Sequence, residues 1–412
     1  MPRFVQRTWP ANPDAPGGRA DRRAFSYQAY VPDSIAQRRF SLSSTDAAAV
    51  SEAERAVDAL NRDPPRMAAL EVLARRLLRA ESVASSRIEG LVLSHRRLAR
   101  AEVEAIESRD ETAASVLGNV AAMERAVALG SGAGALELDD VLALHRELLL
   151  ATTTPEIAGV LRTRQNWVGG NLLHPGRAEF VPPPPELVRG LVADLCAFAN
   201  REDLPPAAQA AVAHAQFETI HPFADGNGRV GRALVHVVLR RRGLAPHYVP
   251  PVSLVLAADA RAYVEGLTAY RDERIGDWVH LFAGALARAA AKARELAMRL
   301  TSLQDAWRKR TGGPRAHSSA EALIVRLPAH PIVTVASAQT ILGRSKQAVN
   351  EAVRALADAG ILRPVTLARR NRAWEAPELF DLIDDVEREL ATPDDPGAAH
   401  RPAPSTPRRT RS

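Results

Sequence analysis

The residues best suited to chemistry in this 412-residue chain lie in one stretch, 221–232, which reads His-Pro-Phe-Ala-Asp-Gly-Asn-Gly-Arg-Val-Gly-Arg. Gly226 and Gly228 permit positive φ and close backbone approach, so successive N–H groups can converge on one anion, and a helix starting near Asn227 adds the partial positive charge of its N-terminus. A phosphate suits that arrangement. Arg229 and Arg232 lie three apart on one face of the first turn, where the macrodipole ordinarily favours acidic side chains. Two arginines set against that preference point to a strongly anionic partner. Asp225 is a hard oxygen ligand of the kind magnesium uses when substrate phosphates complete its shell. His221, followed by Pro222, is the one group here able to accept a proton near neutral pH. Together these residues specify phosphoryl chemistry on a magnesium nucleotide.

The spacing Gly226-x-Gly228-x-x-Gly231 also fits the dinucleotide-binding fingerprint, but that fingerprint needs a strand before the glycines and an acidic residue about 20 positions on. The Ala-rich run 207–220 predicts a helix instead, so that reading fails on context. No Walker A pattern occurs.

The elements that must position the stretch are helices. Apolar residues recurring at three and four predict helices over 46–61, 67–89, 96–106, 113–129, 138–150, 185–200, 207–220, 229–242 and 261–270, and a long Ala-rich one over about 277–309. Residues 167–181, with Gly169-Gly170 and Pro175-Gly176 and then prolines 182–185, predict a short β-hairpin. After Gly312-Gly313 the pattern changes to helices over 320–327, 335–342 and 345–359, followed by strands at 361–367 and 373–375 around a basic turn, Arg369-Arg370-Asn371-Arg372. That is winged helix-turn-helix patterning. Residues 344–374 carry seven basic and two acidic side chains. Arg344, Lys346, Arg369, Arg370 and Arg372 could grip duplex DNA phosphates, while a solvated face or a docking surface is equally available.

At 46% hydrophobic and 25% charged residues the chain reads as globular protein, which excludes wholesale disorder, collagen and coiled coil. No run approaches the roughly 18 apolar residues of a membrane helix, and Met1-Pro2-Arg3-Phe4 does not open a signal peptide, so a cytoplasmic location is expected. The net charge of +6 is mostly terminal: residues 1–25 hold five Arg and two Asp, and 391–412 hold four Arg and two Asp, together +5. Both ends are expected to be disordered basic tails. Between them we expect a helical region over 26–135, a core with its following helices over 136–310, and a winged helix over 314–390. The single Cys196 fits core packing. His214, His236 and His247 lack ligand-spaced companions and read as structural.

At residues 221–232 the sequence resembles the Fic family, whose pattern His-x-Phe-x-(Asp/Glu)-Gly-Asn-Gly-Arg-x-x-Arg is met by His221, Phe223, Asp225, Gly226, Asn227, Gly228, Arg229 and Arg232. The likeness extends through Gly159-Val160-Leu161-Arg162 and the predicted hairpin, and back to Tyr30-Val31-Pro32-Asp33, covering roughly 30–290. It implies an all-α, Fic-type helical core with a short β-hairpin flap, here joined to the C-terminal winged helix. It further implies an enzyme that moves AMP from ATP to a Ser, Thr or Tyr hydroxyl of a target protein. His221 would deprotonate the hydroxyl, Asp225 would hold Mg²⁺, and the backbone of 226–228 with Asn227 would bind the α- and β-phosphates. Arg229 would reach the β-phosphate and Arg232 the γ-phosphate, while the flap, residues 167–181, would pair with the target as an added strand. A homodimer is also implied. The rival class is a DNA-binding regulator whose core only senses nucleotide.

Upstream, Ser85-Ser86-Arg87-Ile88-Glu89-Gly90 fits (Ser/Thr)-x-x-x-Glu-(Gly/Asn). Ser85 and Glu89 share a helical face, and Glu89 stands near a helix C-terminus, where negative charge is disfavoured without a cation partner. The resemblance implies that this is an inhibitory helix, that Glu89 pairs with Arg232 to hold the γ-phosphate out of its productive position, and that in some members it assists removal of AMP.

Overall fold

A computed structural model describes residues 2–14, 18–19, 21–62, 70–104, 110–170, 173–367 and 372–391. In chain order these form β1 (Arg3–Trp9), β2 (Phe25–Val31), α1 (Ser44–Arg62), α2 (Leu70–Ile88), α3 (His95–Glu104), α4 (Glu111–Gly130), α5 (Leu138–Leu149), α6 (Pro185–Ala199), α7 (Pro206–Ile220) and α8 (Asn227–Arg241). There follow α9 (Val252–Ala258), α10 (Ala260–Arg271), α11 (Ile275–Arg310), α12 (Ser319–Arg326), β3 (Ile332–Val333), α13 (Val335–Leu342), α14 (Lys346–Asp358), β4 (Arg363–Thr366), β5 (Arg372–Glu375) and α15 (Pro377–Ala391). The protein is mainly helical, as its periodicity predicts.

The centre is α7 against α8. Residues 207–217 of α7 and 227–239 of α8 are buried without interruption, so neither helix keeps a solvent stripe. The alanines of α7 let neighbouring helices approach closely, and Phe217, Ile220 and Phe223 fill the space left. Around this pair pack α4, α5, α6, α1 and α11. Proline at the first position starts both α6 and α7, where its missing N–H breaks no helical bond. Cys196 lies in this core, its thiol pushed up to about 12 by burial.

Residues 1–25 are not a disordered tail throughout. Arg3–Trp9 pairs antiparallel with Phe25–Val31, from Arg3↔Val31 to Trp9↔Phe25. The reason is packing rather than charge: Trp9 meets Trp167 edge to face at 5.5 Å, and Phe4 meets Tyr30 likewise at 5.5 Å. The hairpin expected over 167–181 reduces, among the described residues, to one bridge, Val168↔Phe180, and a 3₁₀ turn at Pro175–Arg177. Asn171 and Leu172 lie outside the described residues, as does the tail over 392–412. The hairpin is fastened to β2 by the Tyr30 N–H donating to Val181 O at 2.9 Å, and His174 joins it to residue 21 through Asp21 Oδ1 at 2.9 Å.

In the C-terminal region Ser345 N-caps α14, the left-handed Gly343 closes α13, and the sheet runs β3-β5-β4, all antiparallel. The two-residue β3 and the amphipathic α15 were not predicted. Among the side chains proposed for DNA, Arg344 donates to His317 O at 3.2 Å, Arg372 stacks over Trp374 at 5.1 Å, and Lys346 is exposed. Arg369 and Arg370 lie outside the described residues. Among the described residues no helix is long and apolar enough to cross a membrane.

Candidate active site

The site is the junction between α7 and α8, and its shape follows from the end of α7. His221 caps that helix in the left-handed region, φ 49° and ψ 60°, an unusual conformation for a residue with a Cβ. Its neighbours over-determine it. The His221 carbonyl accepts from Arg162 Nε at 2.8 Å and Asn166 Nδ2 at 3.3 Å, and a further Arg162 nitrogen reaches Pro183 O at 2.5 Å. The buried arginine thus satisfies carbonyls that the end of α7 leaves unpaired. The loop then closes on itself: Asn227 Oδ1 accepts from Phe223 N at 2.8 Å while Asn227 Nδ2 donates to Phe223 O at 2.9 Å. Phe223 is buried and stacks on His145, ring centroids 3.7 Å apart. His145 accepts from Gly159 N at Nδ1 and donates from Nε2 to Asp225 O at 3.0 Å, so its tautomer is fixed by its partners. Burial pushes it down to about 4, so the ring is a neutral strut.

Gly226 stands at φ 78°, and a Cβ on Gly228 would run into the Glu89 carboxylate and come within 2.8 Å of Arg232 Nη1. A larger residue at 228 would have to displace the Glu89 carboxylate and the Arg232 guanidinium from the start of α8. Asn227, assigned to phosphate by resemblance, has its side chain occupied in closing the loop. Asp225 is 62% exposed, accepts from its neighbour's Gly226 N–H at 2.6 Å, and lies 3.4 Å from Arg229 Nη2. Arg229 also donates to Ser115 Oγ of α4 at 2.8 Å, and its Nε is buried without a partner among the described residues.

Arg232 is 1% exposed, and a guanidinium so buried must be matched on every side. Its Nε donates to Ser85 Oγ at 2.9 Å, and its Nη2 donates to Ser85 O at 2.8 Å and Glu89 Oε1 at 2.7 Å. Burial works to raise the Glu89 carboxyl, but Arg232, reinforced by Arg229, holds it below the usual range. Gly90, at φ 79°, turns the chain directly after Glu89. Asn119 secures the segment from α4 by donating to Ser82 O at 2.9 Å and Ser86 Oγ at 3.1 Å. One turn further down both helices, His236 meets Glu81 at 3.0 Å, and Glu81 also accepts the Ser253 N–H at 2.8 Å. His236 is therefore structural, though with a carboxylate partner distant in sequence. Glu387 of α15 pairs with Arg87 at 2.9 Å and with His95, bracketing the Glu89-Gly90 turn.

His221 is pushed down to about 4 by burial, so near neutral pH its ring is uncharged and able to accept a proton. Its Nδ1 faces Glu218, at 3.3 Å from the main-chain oxygen and 3.8 Å from carboxylate Oε2. Sequence reasoning missed Glu218, Asn119, Ser115 and His145, and marked Arg162 only as part of the likeness, without a role. Glu218 stands three residues before His221 and is the one acidic residue of α7, and that spacing was the available signal.

The regions that carry this site have counterparts among known proteins. The family model described as "Fic/DOC family" matches residues 135–239, and "Fic/DOC family N-terminal" matches 47–128. A protein adenylyltransferase fic-1 of Caenorhabditis briggsae is 36% identical over 118 residues, 28% of this chain and 21% of that protein. A protein adenylyltransferase Fic of Drosophila virilis is also 36% identical over 118 residues, 28% of this chain and 22% of its own length. The matched region is thus about a fifth of the length of these relatives. In fold, the crystal structure of a Fic family protein from Desulfovibrio desulfuricans G20 superposes with a TM-score of 0.50 at 20% identity, covering 82% of this chain and 98% of that one. Residues 47–128 and 135–239 thus match, in order, the N-terminal and core regions of the Fic/DOC family, and the fold is shared with a Fic family protein.

Proposed function

We propose that this protein is a protein adenylyltransferase that moves AMP from ATP to a hydroxyl of a protein target, and that Glu89 restrains it. The observation that carries the reading is the uncharged His221 ring held beside the Gly226–Gly228 turn and the start of α8. His221 Nε2 takes the hydroxyl proton as the oxygen bonds to the α-phosphorus; the bond from that phosphorus to the β-phosphate bridging oxygen breaks, and pyrophosphate leaves. Backbone N–H groups of the turn and first helical residues hold phosphate oxygens, and Arg229 and Arg232 neutralise the outer phosphates.

Asp225 suits magnesium because it is a single exposed carboxylate at the mouth of the turn, and Mg²⁺ commonly takes one or two carboxylates and completes its shell from substrate phosphates and water. When bound there, the ion would neutralise phosphate charge. Asp225→Ala should therefore abolish the response of turnover to added magnesium together with most activity. Turnover that persists in chelator would remove Asp225 from the metal assignment.

The test of the reading is incubation of the Glu89→Gly protein with magnesium and ATP labelled at the α- or the γ-phosphate. Covalent label that survives denaturation should come from the α-labelled nucleotide only. Nucleotide binding without covalent transfer would instead favour the nucleotide-sensing regulator.

A further inference from the structure

We infer that Glu218 is the positioning residue for His221, holding Nδ1 so that Nε2 faces the substrate and placing a carboxylate where the ring becomes positively charged. The inference rests on the adenylyl-transfer reading and deepens it.

Glu218 supplies both acceptors near Nδ1, its main-chain oxygen at 3.3 Å and carboxylate Oε2 at 3.8 Å. With Nδ1–H turned toward these oxygens, the lone pair lies on Nε2. When Nε2 accepts the hydroxyl proton, Nδ1 keeps its own, and the new positive charge stands against the carboxylate. The other carboxylate oxygen, Oε1, is buried and has no hydrogen-bond partner among the described residues. Such an orphaned oxygen is costly, and an apolar residue would have filled the position without that cost. The fold also makes room for it: a Cβ at Gly231 would come within 2.6 Å of Oε1. Arg232 acts on this carboxylate only through its field, since its hydrogen bonds go to Ser85 and Glu89.

The charged and titratable groups around Glu218 are Arg232 and Arg271, which favour its ionised form, Glu89, which opposes it, and the uncharged His214 and Tyr263. Burial outweighs the arginines and pushes the carboxyl up to about 7. Below that pH the carboxyl is neutral and offers no counter-charge, so turnover should rise through an apparent value near 7.

The test compares Glu218 with Glu218→Gln in the Glu89→Gly protein, where turnover is measurable. We expect kcat to fall by about 10- to 100-fold, less than for loss of the base itself, with KM for ATP unchanged and the rise near pH 7 flattened. Glu218→Asp should recover part of the rate. Alongside, NMR titration of the His221 ring should show an inflection near pH 7 that vanishes in Glu218→Gln, a readout that needs no turnover. Equal kcat and equal pH profiles, or an unchanged ring titration, would overturn the role. A fall in kcat accompanied by loss of ATP affinity would make Glu218 structural. Absence of AMP transfer even in the Glu89→Gly protein would instead refute the transferase reading, with the ring titration still deciding whether Glu218 faces the histidine.

Discussion

His221→Ala should retain ATP binding and lose AMP transfer by about 10²- to 10⁴-fold, the usual contribution of a general base. The separation follows from where the two tasks are performed. Phosphates are addressed by the backbone of the turn, the first residues of α8 and two arginines, whereas the histidine ring meets only the attacking hydroxyl. The substitution should also leave the turn in shape. Its left-handed backbone is held through the carbonyl by Arg162 and Asn166, and the loop is closed separately by Asn227 on Phe223, so none of these bonds uses the imidazole. Alanine at φ 49° is strained, but the histidine it replaces carries a Cβ as well, so the backbone penalty is largely common to both. Calorimetric ATP affinity measured with transfer rate decides the matter. If affinity collapses in parallel with rate, His221 shapes the site instead of acting as its base.

What the sequence made legible was local. The twelve residues 221–232 carry their chemistry in their own spacing, and Ser85 and Glu89 could be placed on one helical face because that relation depends only on the pitch of α2. Contacts between distant segments were not legible. Arg7 and Arg3 counted as tail charge, yet Phe4, Trp9 and their partners form a strand because Tyr30 and Trp167 lie across from them, 26 and 158 residues away in the chain. Asn227 looked like a phosphate ligand by motif, but its side chain is satisfied by Phe223, four residues back. Asn119 sits in an Ala-rich helix with nothing nearby to mark it, and its partners, Ser82 O and the Ser86 hydroxyl, lie on α2. Glu387 lies 300 positions from Arg87, and an amphipathic last helix gives no hint that one of its carboxylates braces the turn after α2.

Glu89→Gly should raise adenylylation, including self-modification, and Arg232→Ala should abolish most of it. The interaction at stake is a charge-assisted pair at 2.7 Å on a guanidinium that is 1% exposed. Such bonds contribute about 1.5 to 3 kcal/mol net, equivalent to roughly 10- to 100-fold in productive binding. Glu89 is itself 36% exposed, so solvent screening places the gain nearer tenfold. Release of the guanidinium is only part of the effect, because the carboxylate also lies against Gly228, where it places negative charge beside the N–H groups that would hold phosphate. Ser85 remains on Arg232 in the single mutant and keeps it oriented toward the turn. The double mutant should behave like Arg232→Ala alone, since removing an inhibitor of Arg232 brings no gain once Arg232 is absent. Rates measured over a range of ATP concentrations for the four proteins separate these terms. If wild type and Glu89→Gly run at the same rate throughout, the pairing with Arg232 is a packing contact and the restraint assigned to it is refuted, while His221 and Asp225 stand or fall on their own substitutions.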